Sequence, residues 1–190
     1  MAIRETVLFD VCDFKVYEMF SDTAGASAGP SYGPAIDVPG VAGFSGFDLQ
    51  ITSQELKGDC RILAKQGRVD SINASFTYGK LALDVLNAIH DGSLWTSGLD
   101  EGFRLKGGAE VKYFKAEAII TGTDSGVEEA KAIFYKAQVS SETLFDQSVD
   151  SYGQPKFDVS GIGIDSGPDS AVPPAVEKTL MADVIITAAA

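Results

Sequence analysis

At 190 residues the chain has the size of one domain, since about 100 to 200 residues per domain is usual. Hydrophobic residues make up 45% of it, so it has the apolar matter for a core despite a formal net charge of -12. That acidity excludes a protein that grips nucleic-acid phosphates, because such binding rests on Lys and Arg displacing counterions. An acidic wall past which DNA slides is compatible with it. The first ten residues carry Arg4, Glu5 and Asp10, unlike an export signal. No apolar run approaches the roughly 18 residues of a membrane-crossing helix. A soluble protein without a membrane partner is expected.

Residues 3–20 alternate unevenly between apolar and charged, which predicts an opening strand that bends near Asp13. Residues 21–46 are rich in Gly, Ala, Ser and Pro and read as a long loop. Ile36, Val38 and Val41 inside it suggest that it docks on something. From Leu49 to Ala64 the pattern is strand-like, with a break at Lys65 to Gly67. From Val69 to Tyr78 the alternation is strict: Ile72, Ala74, Phe76 and Tyr78 fall on one face, Ser71, Asn73, Ser75 and Thr77 on the other.

The spacing then turns helical over 80–91, with Leu81, Val85, Ala88 and Ile89 on one side and Gly92 as the stop. Leu94 to Gly108 is turn-rich, with Trp95 expected to anchor it on the core. Two extended runs, 109–121 and 130–140, read as a long hairpin. Residues 155–165 and 177–187 are the last strands, separated by Gly167-Pro168 and Pro173-Pro174, which cannot continue a central strand. Seven or eight strands and one helix predict a mainly β fold, an antiparallel sandwich or barrel with a flanking helix, as a single domain over 1–190.

Candidate chemistry is sparse. Gly161-Ile-Gly163-Ile-Asp-Ser-Gly167 follows a strand, but Pro168 and Pro173-Pro174 deny it the helix that a phosphate site needs. His90, the single histidine, sits in the last turn of the predicted helix, where a cation suits the macrodipole. The acidic pairs Asp100-Glu101 and Glu128-Glu129 read as solvated surface. Cys12 and Cys60 have no second ligand at metal spacing and read as buried thiols. No catalytic residue, cofactor or metal is expected, and the chain reads as a non-enzyme.

Three motifs occur in order: Asp13-Phe14-Lys15-Val16, then Ser31-Tyr32-Gly33-Pro34-Ala35-Ile36-Asp37-Val38-Pro39-Gly40-Val41, then Glu55-Leu56-Lys57-Gly58-Asp59. With the strand at 68–78, the helix and the late segments Phe134 to Val139 and Lys156 to Gly161, this order resembles the major tail tube proteins of long-tailed, siphovirus-type bacteriophages. Cys60 stands where a second acidic residue often follows the Gly-Asp. The resemblance implies a virion protein, assembled in the host cytoplasm, whose rings, commonly hexameric, stack into the hollow tail tube that conducts DNA. It implies tape measure, tail tip and tail terminator partners, and DNA that passes without specific binding. Under this reading Tyr32, Ile36, Val38 and Val41 make assembly contacts, as does the hairpin tip at 122–129. Ser71, Asn73, Ser75 and Thr77 then face the lumen or solvent. Rival readings are the inner tube of a contractile or type VI-like injection system, and a head-tail connector or decoration protein.

Overall fold

The computed structural model describes residues 8–58, 61–122, 127–144, 154–168 and 180–188. Among these the elements are β1 (Leu8–Ser21), β2 (Ser31–Asp37), β3 (Val41–Gly58), β4 (Arg61–Tyr78), α1 (Leu83–Ile89), β5 (Gly92–Ser97), β6 (Asp100–Leu105), β7 (Phe114–Gly122), β8 (Val127–Thr143), β9 (Lys156–Gly161) and β10 (Ala182–Ala188). Seven strands lie in the order β2-β1-β7-β8-β9-β4-β3, β10 pairs with β8 off this path, and β5-β6 form a separate hairpin. All pairings are antiparallel. β9 and β10 share one lane along β8, facing its residues 137–143 and 127–134 respectively. Between them Ile162 N–H donates to Lys136 O, and Tyr135 N–H donates to Met181 O.

The apolar alternation decides how this sheet folds over. β1 and β4 are not neighbours in it, yet the Phe14 and Phe76 rings stack with centroids 4.0 Å apart. The sheet therefore curls until its two ends face each other. Phe157 joins the stack at 5.3 Å from Phe76, and Phe134 meets Phe76 edge-on. Ile72, Ala74, Phe76 and Tyr78 are all buried, as the alternation predicts. Truncating Phe76 to Ala removes the centre of this cluster and costs about 3–5 kcal/mol. β2 and β3, at the two ends, do not pair with each other. The result is an open, sandwich-like arrangement, with no barrel closure among the described residues.

α1 covers the core with Val85, Leu86, Ala88 and Ile89. It is shorter than the predicted 80–91: Leu81 lies outside it and is exposed, and Leu86 supplies the missing contact. The helix ends because His90 turns extended and bridges Val111. Its free carbonyls are met from the next segment, where Lys112 N–H donates to Ile89 O at 2.9 Å and Lys112 Nζ to Asn87 O at 3.1 Å. Gly92 is thus no helix stop. It opens β5, and the Phe103 ring lies where its side chain would be.

Other expectations need correction. Residues 21–46 are not one loop, since they contain β2 and the start of β3. Pro34 is tolerated in β2 because that strand sits at the sheet edge. Lys65 to Gly67 is no break but the interior of β4, and Gly58, the last residue of β3, pairs with Arg61, the first of β4. The turn-rich stretch holds the β5-β6 hairpin, whose two-residue turn starts with Gly98 at φ 66. Trp95 does not anchor it on the core: half-exposed, its ring covers Gly102 across the hairpin. The bend near Asp13 is real, for the β1-β7 register shifts between Val11 and Asp13.

Candidate assembly surface

β4 pairs with β9 only from Ile72 to Thr77, whereas its pairing with β3 runs on from Ser71 to Arg61. The outer halves of β3 and β4 therefore form a two-stranded ribbon beyond the sheet. Such a ribbon is at best marginal in water on its own. Its register places Leu49 opposite Ile72 and Ile51 opposite Val69, so the core-facing side continues outward as an apolar strip. Leu49 is 51% and Ile51 61% exposed. Where the ribbon leaves the body, β3 carries a bulge at Gly46-Phe47-Asp48. Phe47 there has φ 110, a conformation costing of order 1–3 kcal/mol for a bulky residue. Its ring packs on Phe134 at 5.1 Å, which helps hold it there.

A second open edge is β10, whose outer side has no strand among the described residues. Val184 (60%) and Ile185 (38%) are exposed on it. Unpaired strand edges with apolar side chains are templates for another chain. Leu99, at the tip of the β5-β6 hairpin, is fully exposed.

Ser71, Asn73, Ser75 and Thr77 stand half-buried on the face opposite the core. Their neighbours continue the same chemistry: Asn73 lies between Asp48 and Ser160, Ser75 between Ser45 and Asp158, Thr77 between Gly43 and Lys156. Asp158 pairs with Lys156 at 3.3 Å, and hydrogen bonds from Ser75, then Lys156, hold its carboxyl below the usual range. Further out Arg68 pairs with Asp70 at 2.9 Å. This face of β3, β4 and β9 is thus hydroxyl and amide with mostly self-paired charges. It is not an acidic wall.

The four expected contact residues are used inside the subunit. Val38 is buried in the core, and Ile36 and Val41 pack against it. Tyr32 donates its hydroxyl to Tyr135 O at 2.7 Å, and burial pushes its pKa well up. Val38 is therefore committed to the subunit's own core, while the ribbon, β10, the β5-β6 hairpin and Phe20 at the end of β1 leave apolar side chains open. Deleting 23–43 would remove β2 and Val38 together, so only point changes can test this segment. Of the predicted hairpin tip at 122–129, residues 123–126 lie outside the described residues.

The connection after β1 also carries a buried polar knot that sequence reading missed. Asp22 takes hydrogen bonds from Lys136 Nζ, from the Asp165 and Ser166 N–H groups and from the Ser166 hydroxyl. Burial would raise its pKa, but these donors outweigh it and bring it to about 2. His90 Nε2 meets Glu142 Oε2 at 2.6 Å, so the histidine is a link between α1 and β8. Among the described residues Tyr78 Oη and Glu142 Oε1 are buried without a partner. The 161–167 stretch packs Ile164 inside and has no helix among the described residues. Cys60 lies outside the described residues, and Cys12 falls within β1. Among the described residues no three His, Cys, Asp or Glu are grouped to hold a metal ion, and no helix is long and apolar enough to cross a membrane.

No protein-family model matches the chain, and no curated protein matches it. Among solved structures it is similar to the anti-feeding prophage cap, described as a tube terminating cap. The two share 15% identity over 84% of this chain and 89% of that one, at a TM-score of 0.41.

Proposed function

We propose that the chain is a structural subunit that polymerises as stacked rings, hexamers in this reading, into the hollow tail tube through which a long-tailed phage conducts its DNA. The observation that carries the proposal is the ribbon: an apolar strip on a two-stranded extension that a lone subunit leaves uncovered. The ordered motifs of the sequence support the same reading. A neighbour that pairs with the open edge of β10 or covers the strip at Leu49 and Ile51 satisfies both features at once. The polar face of β3, β4 and β9 then lines the lumen, where paired charges and hydroxyls offer DNA little to bind. Tape measure, tail tip and terminator proteins are the partners at the two ends. The double variant Leu49→Lys/Ile51→Lys tests this: the monomer should fold with unchanged stability and form no tubes by electron microscopy. Normal tube growth by that variant refutes the role of the ribbon.

A further inference from the structure

Lys136 lies on β8 with its side chain 8% exposed, facing Asp22, whose side chain is 4% exposed. Lys136 Nζ is 2.7 Å from Asp22 Oδ2 and 2.6 Å from Asp165 Oδ2, and it sits 4.9 Å from the centre of the Tyr113 ring. The other Asp22 oxygen, Oδ1, is held by the Ser166 N–H at 2.8 Å and the Ser166 hydroxyl at 2.7 Å, and the Asp165 N–H is shared, 3.0 Å from Oδ1 and 2.9 Å from Oδ2. An amine in contact with a carboxyl group, a second carboxylate touching that amine, and two donors on one oxygen of that carboxyl with a third shared between both oxygens are the parts of an acyl-transfer site.

We propose that Lys136 and Asp22 condense to an intramolecular amide, with Asp165 as the proton carrier. One proton passes from Nζ to Oδ2 along their hydrogen bond, leaving a neutral amine and a neutral carboxyl. The nitrogen lone pair attacks Cγ, and the C=O pair moves onto Oδ1, where the three donors stabilise it. Asp165 then takes a second proton from nitrogen and delivers it to Oδ2, which leaves as water while the carbonyl reforms. One N–C bond is made, one C–O bond is broken, and nothing is oxidised or reduced. Asp165, 57% exposed, gives the water a way out.

The bond replaces two buried charges by a neutral amide, which removes the cost of keeping them out of water. The neutral pair is a minor form, because hydrogen bonds keep Asp22 ionised to about pH 2 and, against the pull of burial, hold Lys136 above its usual range. The reaction is therefore slow, a maturation rather than a folding step. It fastens the connection after β1 covalently to the middle of β8, two strands away in the sheet.

The mass of the full-length protein, measured under denaturing conditions after storage in the folded state, tests this. The expected mass is lower than that of the sequence by one water, and digestion yields a branched peptide joining the segments that hold Asp22 and Lys136. Asp165→Asn keeps the full mass. Full mass in the wild-type protein after prolonged storage, or a lost water that maps elsewhere, overturns the proposal.

Discussion

Tyr78 carries a buried hydroxyl with no hydrogen-bond partner among the described residues, and burial, then the nearby Glu142 charge, pushes its pKa well up. A buried polar atom without a partner costs about 1–3 kcal/mol. Tyr78→Phe keeps the ring against Phe157 and is expected to leave stability equal or raise it by up to about 1 kcal/mol in urea unfolding; a loss above that size contradicts the orphaned hydroxyl. Asp22 makes the opposite contribution. While it is still an ion pair, its folded pKa of about 2 lies below the ordinary 3.8. Its stabilisation is therefore full above about pH 4 and is lost as the pH falls towards 2. The Asp165→Asn variant, which keeps the ion pair, should lose this contribution in acid, whereas protein carrying the amide should not, as acid unfolding followed by circular dichroism will read. The alternation of β4 was legible residue by residue because one strand face is a local property. The knot was not, since Lys136 and Asp22 stand 114 positions apart and only the fold joins them.

At the scale of elements, the bulge in β3 aims the ribbon. Gly46 has φ 95, and a side chain there would meet Asn73 O at 3.0 Å and the Ala74 backbone at 3.1 Å. Gly46→Ala is expected to destabilise the subunit by about 1–2 kcal/mol, seen as a lower urea midpoint. An unchanged midpoint means the bulge is not fixed by that glycine. The strands that sequence reading found, β1, β4, β7, β8, β9 and β10, have either clear alternation or turn signals at their ends. β2 was hidden by Pro34 and Gly33, which an edge strand can carry. β5 and β6 were hidden because their glycines, read as turns, instead make room for Trp95 and Phe103 on the opposite strand. The break read at Lys65 to Gly67 rested on Gly67, which instead pairs with Ser53 inside the ribbon.

For the molecule as a whole, the formal charge of -12 opposes bringing copies together. Raising salt from about 0.01 M to about 0.15 M shortens the screening length from about 30 Å to about 8 Å. Assembly should then begin at a lower protein concentration, which light scattering measures; a threshold that rises with salt points to contacts dominated by opposite charges. The sequence placed the contacts on residues 21–46, because a Gly-rich segment with apolar residues looks unpartnered. Folding buries Val38 and packs Ile36 and Val41 against the core, while Leu49 and Ile51 of the ribbon stay open, and only the register of β3 against β4 reveals that strip. The decisive measurement is negative-stain electron microscopy of the purified protein at rising concentration, with and without assembled tail tips as seeds. Long hollow tubes of uniform diameter are the predicted result. Monomers under every condition, or closed rings that never stack, contradict the tail tube account.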